Sequence, residues 1–116
     1  MNSASTTDSS RTESGMMKLS PEYISPNNDG RNDRLSIQFS LNRPNWQVTI
    51  KLYDITGRFI RKVVEQYTLG LESEIFYNGT DEHNIPLNSG HYVLLAELLN
   101  TDGETKRVKR MLTVVN

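Results

Sequence analysis

The chain has 116 residues, 35% hydrophobic and 23% charged, with a formal net charge of -1. That length holds one domain with a core of its own, and the absence of cysteine excludes a disulfide framework, a cysteine-ligated zinc site and a thiol nucleophile. Near-neutral charge removes the basic field that drives non-specific nucleic-acid binding, and no apolar run approaches the roughly 18 residues of a membrane helix or forms a signal-peptide core.

The first 18 residues contain eight Ser or Thr, and their apolar residues are Met1, Ala4, Met16 and Met17. Such a segment buries too little surface to offset its ordering entropy, so 1–18 is expected to be a disordered linker and 19–116 the folded domain. A flexible head of this kind is expected of a domain cut from a larger protein.

Beyond it, period-2 alternation dominates. Leu35, Ile37, Phe39 and Leu41 share one face of a predicted strand, as do Trp46, Val48, Ile50 and Leu52 in the next. Asp54-Ile55-Thr56-Gly57 supplies a turn into a third strand, Phe59 to Val64. One helical turn over Arg61 to Tyr67 is the alternative there, disfavoured by the β-branched pair Val63-Val64. A short strand spans Glu74 to Tyr77. The run Tyr92 to Leu99 is almost continuously apolar, as expected at the centre of a core. Thr101-Asp102-Gly103 closes a hairpin onto a last strand, Thr105 to Val115, because Asp-Gly tolerates positive φ. Six or seven short strands separated by turns predict an all-β, immunoglobulin-like antiparallel β-sandwich.

Five features bear on chemistry or binding. Ser25 to Asp33 alternates amide and carboxylate groups around Gly30, the chemistry a calcium loop uses, with Asn27, Asp29 and Asp33 as candidate ligands. The EF-hand spacing fails at Ser36, which stands where a bidentate Glu belongs, and the same residues are ordinary turn formers. A second cluster runs from Tyr77-Asn78-Gly79-Thr80-Asp81-Glu82-His83 to Ser89-Gly90-His91. It holds both histidines, but not at helical zinc spacing and without a nucleophile elbow, so neither a hydrolase nor a metal site is expected and the protein reads as a non-enzyme. Asn78-Gly79-Thr80 fits a glycosylation sequon and is equally a turn.

Lys106, Arg107, Lys109 and Arg110 form the basic run. No aromatic residue lies within 104–116, so a charged sheet edge is expected rather than a nucleic-acid surface. Alternation places Arg110 on the face of Val108 and Leu112, which requires either a bulge or a position at the rim. Among the aromatic residues, Phe39, Trp46 and Tyr92 are expected in the core. Tyr53, Phe59, Phe76 and Tyr77 are the remaining candidates for a sugar-stacking surface.

Four stretches together carry a resemblance. Ser25-Pro26-Asn27-Asn28-Asp29-Gly30-Arg31-Asn32-Asp33 resembles the "SPNGDGxND" opening of C-terminal modules in secreted bacterial proteins. Val48 to Arg58 resembles their "v-x-i-x-l/i-y-D-x-x-G-r" hairpin. Tyr77-Asn78-Gly79 with Ile85-Pro86-Leu87-Asn88-Ser89-Gly90-His91-Tyr92 is similar to "W-D-G … v-P-x-G-x-Y", and Lys109 to Val115 is similar to the last strand. Tyr77-Asn78 replaces Trp-Asp, and His83 or Asn84 stands at the second glycine. The pattern resembles the flagellar-hook-capping (FlgD-type) immunoglobulin-like domain. It overlaps the gliding-motility-associated and type IX secretion C-terminal domains of Bacteroidetes. The resemblance implies a non-catalytic C-terminal module of a larger exported or cell-surface protein, with no cofactor beyond the candidate calcium. It would act in secretion sorting, or in surface attachment and structural support. Its implied partners are upstream domains, the secretion machinery and cell-surface components, not nucleic acid. The implied location is the cell surface or extracellular space, with the periplasm in transit. A carbohydrate- or protein-binding module is the alternative.

Overall fold

A computed structural model of the chain describes residues 16–27 and 32–116. Eight strands follow in order: β1 Met17–Ser20, β2 Tyr23–Ile24, β3 Leu35–Ser40, β4 Trp46–Asp54, β5 Phe59–Leu69, β6 Glu72–Tyr77, β7 Gly90–Asn100 and β8 Thr105–Val114. They form a three-stranded sheet, β1-β3-β6, and a five-stranded sheet, β2-β8-β7-β4-β5. The six strands expected from alternation are all present, and the fold is the immunoglobulin-like sandwich.

The core lies between the sheets and draws on both. Met17, Leu35, Ile37, Phe39 and Ile75 face it from the small sheet, and Trp46, Val48, Ile50, Leu52, Leu94, Leu98 and Leu112 from the large one. Alternation is what permits this: β4 is buried at every second residue from Trp46 to Leu52. Each such aliphatic side chain contributes about 1.5–3 kcal/mol relative to exposure.

Two strands escape the sequence reading. β1 begins inside the segment expected to be linker, where Met17 is fully buried and pairs with Phe39. Its polar flank hides it, because a four-residue strand carries too little alternation to register. The strand pairing therefore starts two residues before the expected boundary at 19, while residues 1–15 lie outside the described part. β2 follows across Pro21-Glu22 and joins the other sheet, pairing with β8 in parallel at Tyr23↔Thr113 and Ile24↔Val114. This short pairing departs from the expected antiparallel pattern.

β5 is assigned as strand from Phe59 to Leu69, so the helical alternative does not hold. Register shifts against β4 at three places, and Gln66 takes φ 49 while its amide donates to Thr49 Oγ1 at 3.1 Å. These bulges carry the strand beyond Val64, to Leu69 opposite Trp46, and erase the clean alternation. Both predicted turns form. Gly57 N donates to Asp54 O, Gly103 N donates to Asn100 O, and the two glycines have φ 95 and 93.

Candidate functional site

The loop opening at Ser25 is closed by its backbone. Ser25 N donates to Asn32 O at 2.7 Å, and Asn27 N donates to Ser25 O at 2.8 Å. Of the three candidate calcium ligands, Asn27 is exposed and Asp33 half-buried, both near the neck of this loop. Asp29 lies outside the described residues. No group of three or more metal-ligating side chains occurs among the described residues.

The second cluster is a braced loop. Tyr77 Oη donates to Thr80 O at 2.5 Å, and Arg61 on β5 donates to Thr80 O, Thr80 Oγ1 and Asp81 O. Burial pushes the Tyr77 phenol up, so it remains a neutral donor. The Asp81 carboxylate accepts from Ile85 N and His83 N. Those bonds hold it below the usual carboxylate range. Asn84 takes φ 63, a left-handed backbone that Asn tolerates.

The histidines have separate neighbours. His83 is exposed beside Glu82, whereas His91 lies on β7 with Nδ1 3.1 Å from Thr113 Oγ1.

The basic run divides by face. Arg107 and Lys109 point outward, and Arg107 pairs with Glu97 across the hairpin. Arg110 points inward without a bulge, since the β7–β8 register is continuous, and reaches Met17 O at 2.7 Å. Phe39, Trp46 and Tyr92 are core residues as expected, and Tyr77 joins them. Phe59 and Phe76 are exposed, with the Arg34 guanidinium over the Phe76 ring at 4.2 Å.

Sequence reasoning missed the outer face of the large sheet. Phe59, Tyr53, Val93 and Met111 stand opposite one another across β5, β4, β7 and β8. Tyr53 and Phe59 meet edge to face, with centroids 5.7 Å apart. The available signal was the apolar run of β7: Val93 and Leu95 fill the face opposite to Leu94 and Ala96. That run marks a strand that is apolar on both sides.

Comparison with known proteins places this geometry. The family model described as the CHU_C type IX secretion signal domain matches residues 18–114. No curated protein sequence matches the chain. Among solved structures, the chain resembles dimeric latent PorU from Porphyromonas gingivalis, with 22% identity and a TM-score of 0.64 over 85% of this chain. It resembles PorZ, described as a surface component of the type IX secretion system of the same organism, with 18% identity and a TM-score of 0.51 over 92% of this chain. CopC from Methylosinus trichosporium OB3b is similar at 16% identity and a TM-score of 0.53, covering 85% of this chain and 91% of CopC. The chain spans 9% of the PorU chain and 12% of the PorZ chain. At these identities the likenesses carry the fold alone, and the hook-capping part of the expected resemblance gains no support from them.

Proposed function

The chain belongs to the CHU_C type IX secretion signal domain family, and from that premise we propose that it is the sorting module of a larger exported protein. The single observation carrying this reading is the extent of the match, residues 18–114, which takes in almost every strand residue from β1 to β8. The module is non-catalytic and works by being recognised: the secretion machinery reads its surface while upstream domains of the same polypeptide are carried as cargo. The cargo travels through the periplasm to the cell surface or the medium. Surface attachment and structural support are further roles of the same rigid sandwich. No helix among the described residues is long and apolar enough to cross a membrane.

Fusing the full chain behind a reporter with an export signal tests the proposal in a host with a type IX pathway. The reporter is expected at the cell surface or in the medium, and in the periplasm of a strain lacking that pathway. Periplasmic retention in both strains overturns the sorting reading.

A binding module is the second reading, favoured by the outward positions of Phe59 and Phe76. A glycan array probed with the isolated chain tests it, and signal lost in Phe59→Ala or Phe76→Ala is the outcome it requires.

A further inference from the structure

The outer face of the five-stranded sheet carries apolar and basic residues that the core does not use. Its apolar row is Phe59, Tyr53, Val93 and Met111, and the next row along the strands is Lys62, Lys51, Leu95 and Lys109. Phe59 and Met111 are 48% and 56% exposed, and Ile55 beside them is 59% exposed. Between these residues lies a depression of about 320 Å³, lined by Tyr53, Ile55, Val93 and Leu95 with Arg107 and Lys109, and closed at one end by the Asp54–Gly57 turn. A contiguous apolar row beside a charged rim, on a sheet face turned away from the core, has the composition of a docking surface.

Charge identifies the partner. Lys51, Lys62, Arg107 and Lys109 share this face with three carboxylates: Glu65 and Glu97, which pair with the first three, and Asp54 at the end of the depression, which pairs with Arg58. The face is therefore basic on a chain whose net charge is -1. The embedded carboxylates disfavour a plain anionic lipid surface, and a second copy applying the same face would bring like charges together. We propose that this face docks an acidic protein segment that alternates apolar and carboxylate side chains, the apolar ones entering the Tyr53–Val93–Leu95 depression and the carboxylates meeting Lys109 and Arg107. The period-2 spacing of such a segment matches the rows of the sheet. The inference rests on the sorting reading, because it names the surface the secretion machinery would recognise.

The test uses the full chain and a labelled peptide alternating leucine and glutamate. Leucine–lysine and serine–glutamate peptides serve as comparisons, together with phosphatidylglycerol vesicles. Fluorescence anisotropy is expected to show the leucine–glutamate peptide binding at least about tenfold tighter than either comparison peptide. The double variant Lys109→Glu/Met111→Glu is expected to lose that binding while retaining its thermal midpoint, and Lys18→Glu on the other sheet to keep it. Equal binding of the peptides, binding unchanged in the double variant, vesicle binding abolished by the double variant, or self-association through this face overturns the proposal. The reporter fusion separates the two readings. If the parent fusion is not exported, the sorting reading fails whatever the peptide does. If the parent and the double variant are both exported although peptide binding is lost, this surface is not the one recognised.

Discussion

Arg110, in the middle of β8, donates a guanidinium hydrogen bond of 2.7 Å to the main-chain oxygen of Met17 in β1. A cation placed in line with Val108 and Leu112 would ordinarily be costly there. Here it lies half-buried at the open side of the sandwich and ties the large sheet to an edge strand of the small one. An inward-pointing charge on such a margin also discourages a foreign strand from adding to it.

Arg110→Met keeps an aliphatic stem and removes the donor. The variant is expected to lose about 1–2 kcal/mol, because a charged donor to a partly buried carbonyl is gone. Urea unfolding followed by the fluorescence of Trp46 measures it. A midpoint equal to the parent's refutes the role of the bridge.

Met17 itself is fully buried against Phe39. Met17→Ala is expected to cost about 2–4 kcal/mol by cavity formation, where a linker residue would cost nothing. Thermal and urea midpoints of the variant decide between the two.

Two glycines with left-handed backbones offer a controlled comparison. At Gly57 (φ 95) an added Cβ meets nothing within 4 Å, whereas at Gly79 (φ 74) it meets Ile24 Cδ1 at 2.9 Å and Pro26 Cβ at 3.0 Å. Gly57→Ala is expected to cost about 1 kcal/mol from backbone strain alone. Gly79→Ala is expected to cost more, since the Ile24 side chain and the Pro26 ring must also give way. Equal losses in the two variants would show that the contact with Ile24 and Pro26 is immaterial.

Stability is expected to fall at both ends of the pH scale, for opposite reasons. The Thr56 hydroxyl, followed by the Arg58 amide, holds Asp54 below the usual carboxylate range. The Ile85 amide does the same for Asp81, and the Glu104 amide followed by the Arg43 guanidinium does so for Asp102. A depressed folded value gives stability that is complete above the ordinary carboxylate pKa of about 4 and is lost as pH falls through the folded value. Burial raises Tyr77 and Tyr92. Their contribution is complete below the ordinary phenol pKa of about 10 and is lost as pH rises toward the folded values. Urea midpoints across pH are expected to drop in acid less steeply for Asp54→Asn, and in alkali less steeply for Tyr77→Phe.

Asn27 and Asp33 lie beside the Ser25–Asn32 backbone bond, and we propose that they bind calcium together with Asp29, which lies outside the described residues. Calorimetry of the full chain with Ca²⁺ is expected to show binding heat that Asp29→Ala removes. A flat titration of the parent rejects the ion and leaves the loop to its turn chemistry.

Alternation within single strands was enough to locate β3, β4, β6, β7 and β8 and to assign Phe39, Trp46 and Tyr92 to the core. The Asp-Gly turn at Gly103 and the Asp54–Gly57 turn were equally legible, because a short segment carries its own backbone requirement. What the sequence by itself determined was therefore local: which segments extend, which face of each is apolar, and where the chain reverses. The tertiary structure alone decided the rest. β1 and β2 are strands because Phe39 and Thr113, far along the chain, offer them ladder partners. β5 runs on to Leu69 because bulges absorb its mismatch with β4. The direction of Arg110 follows from a carbonyl 93 residues away. Phe59, Tyr53, Val93 and Met111 become one surface only when four strands adopt a common register. Register between strands belongs to pairs of segments, and no single segment encodes it.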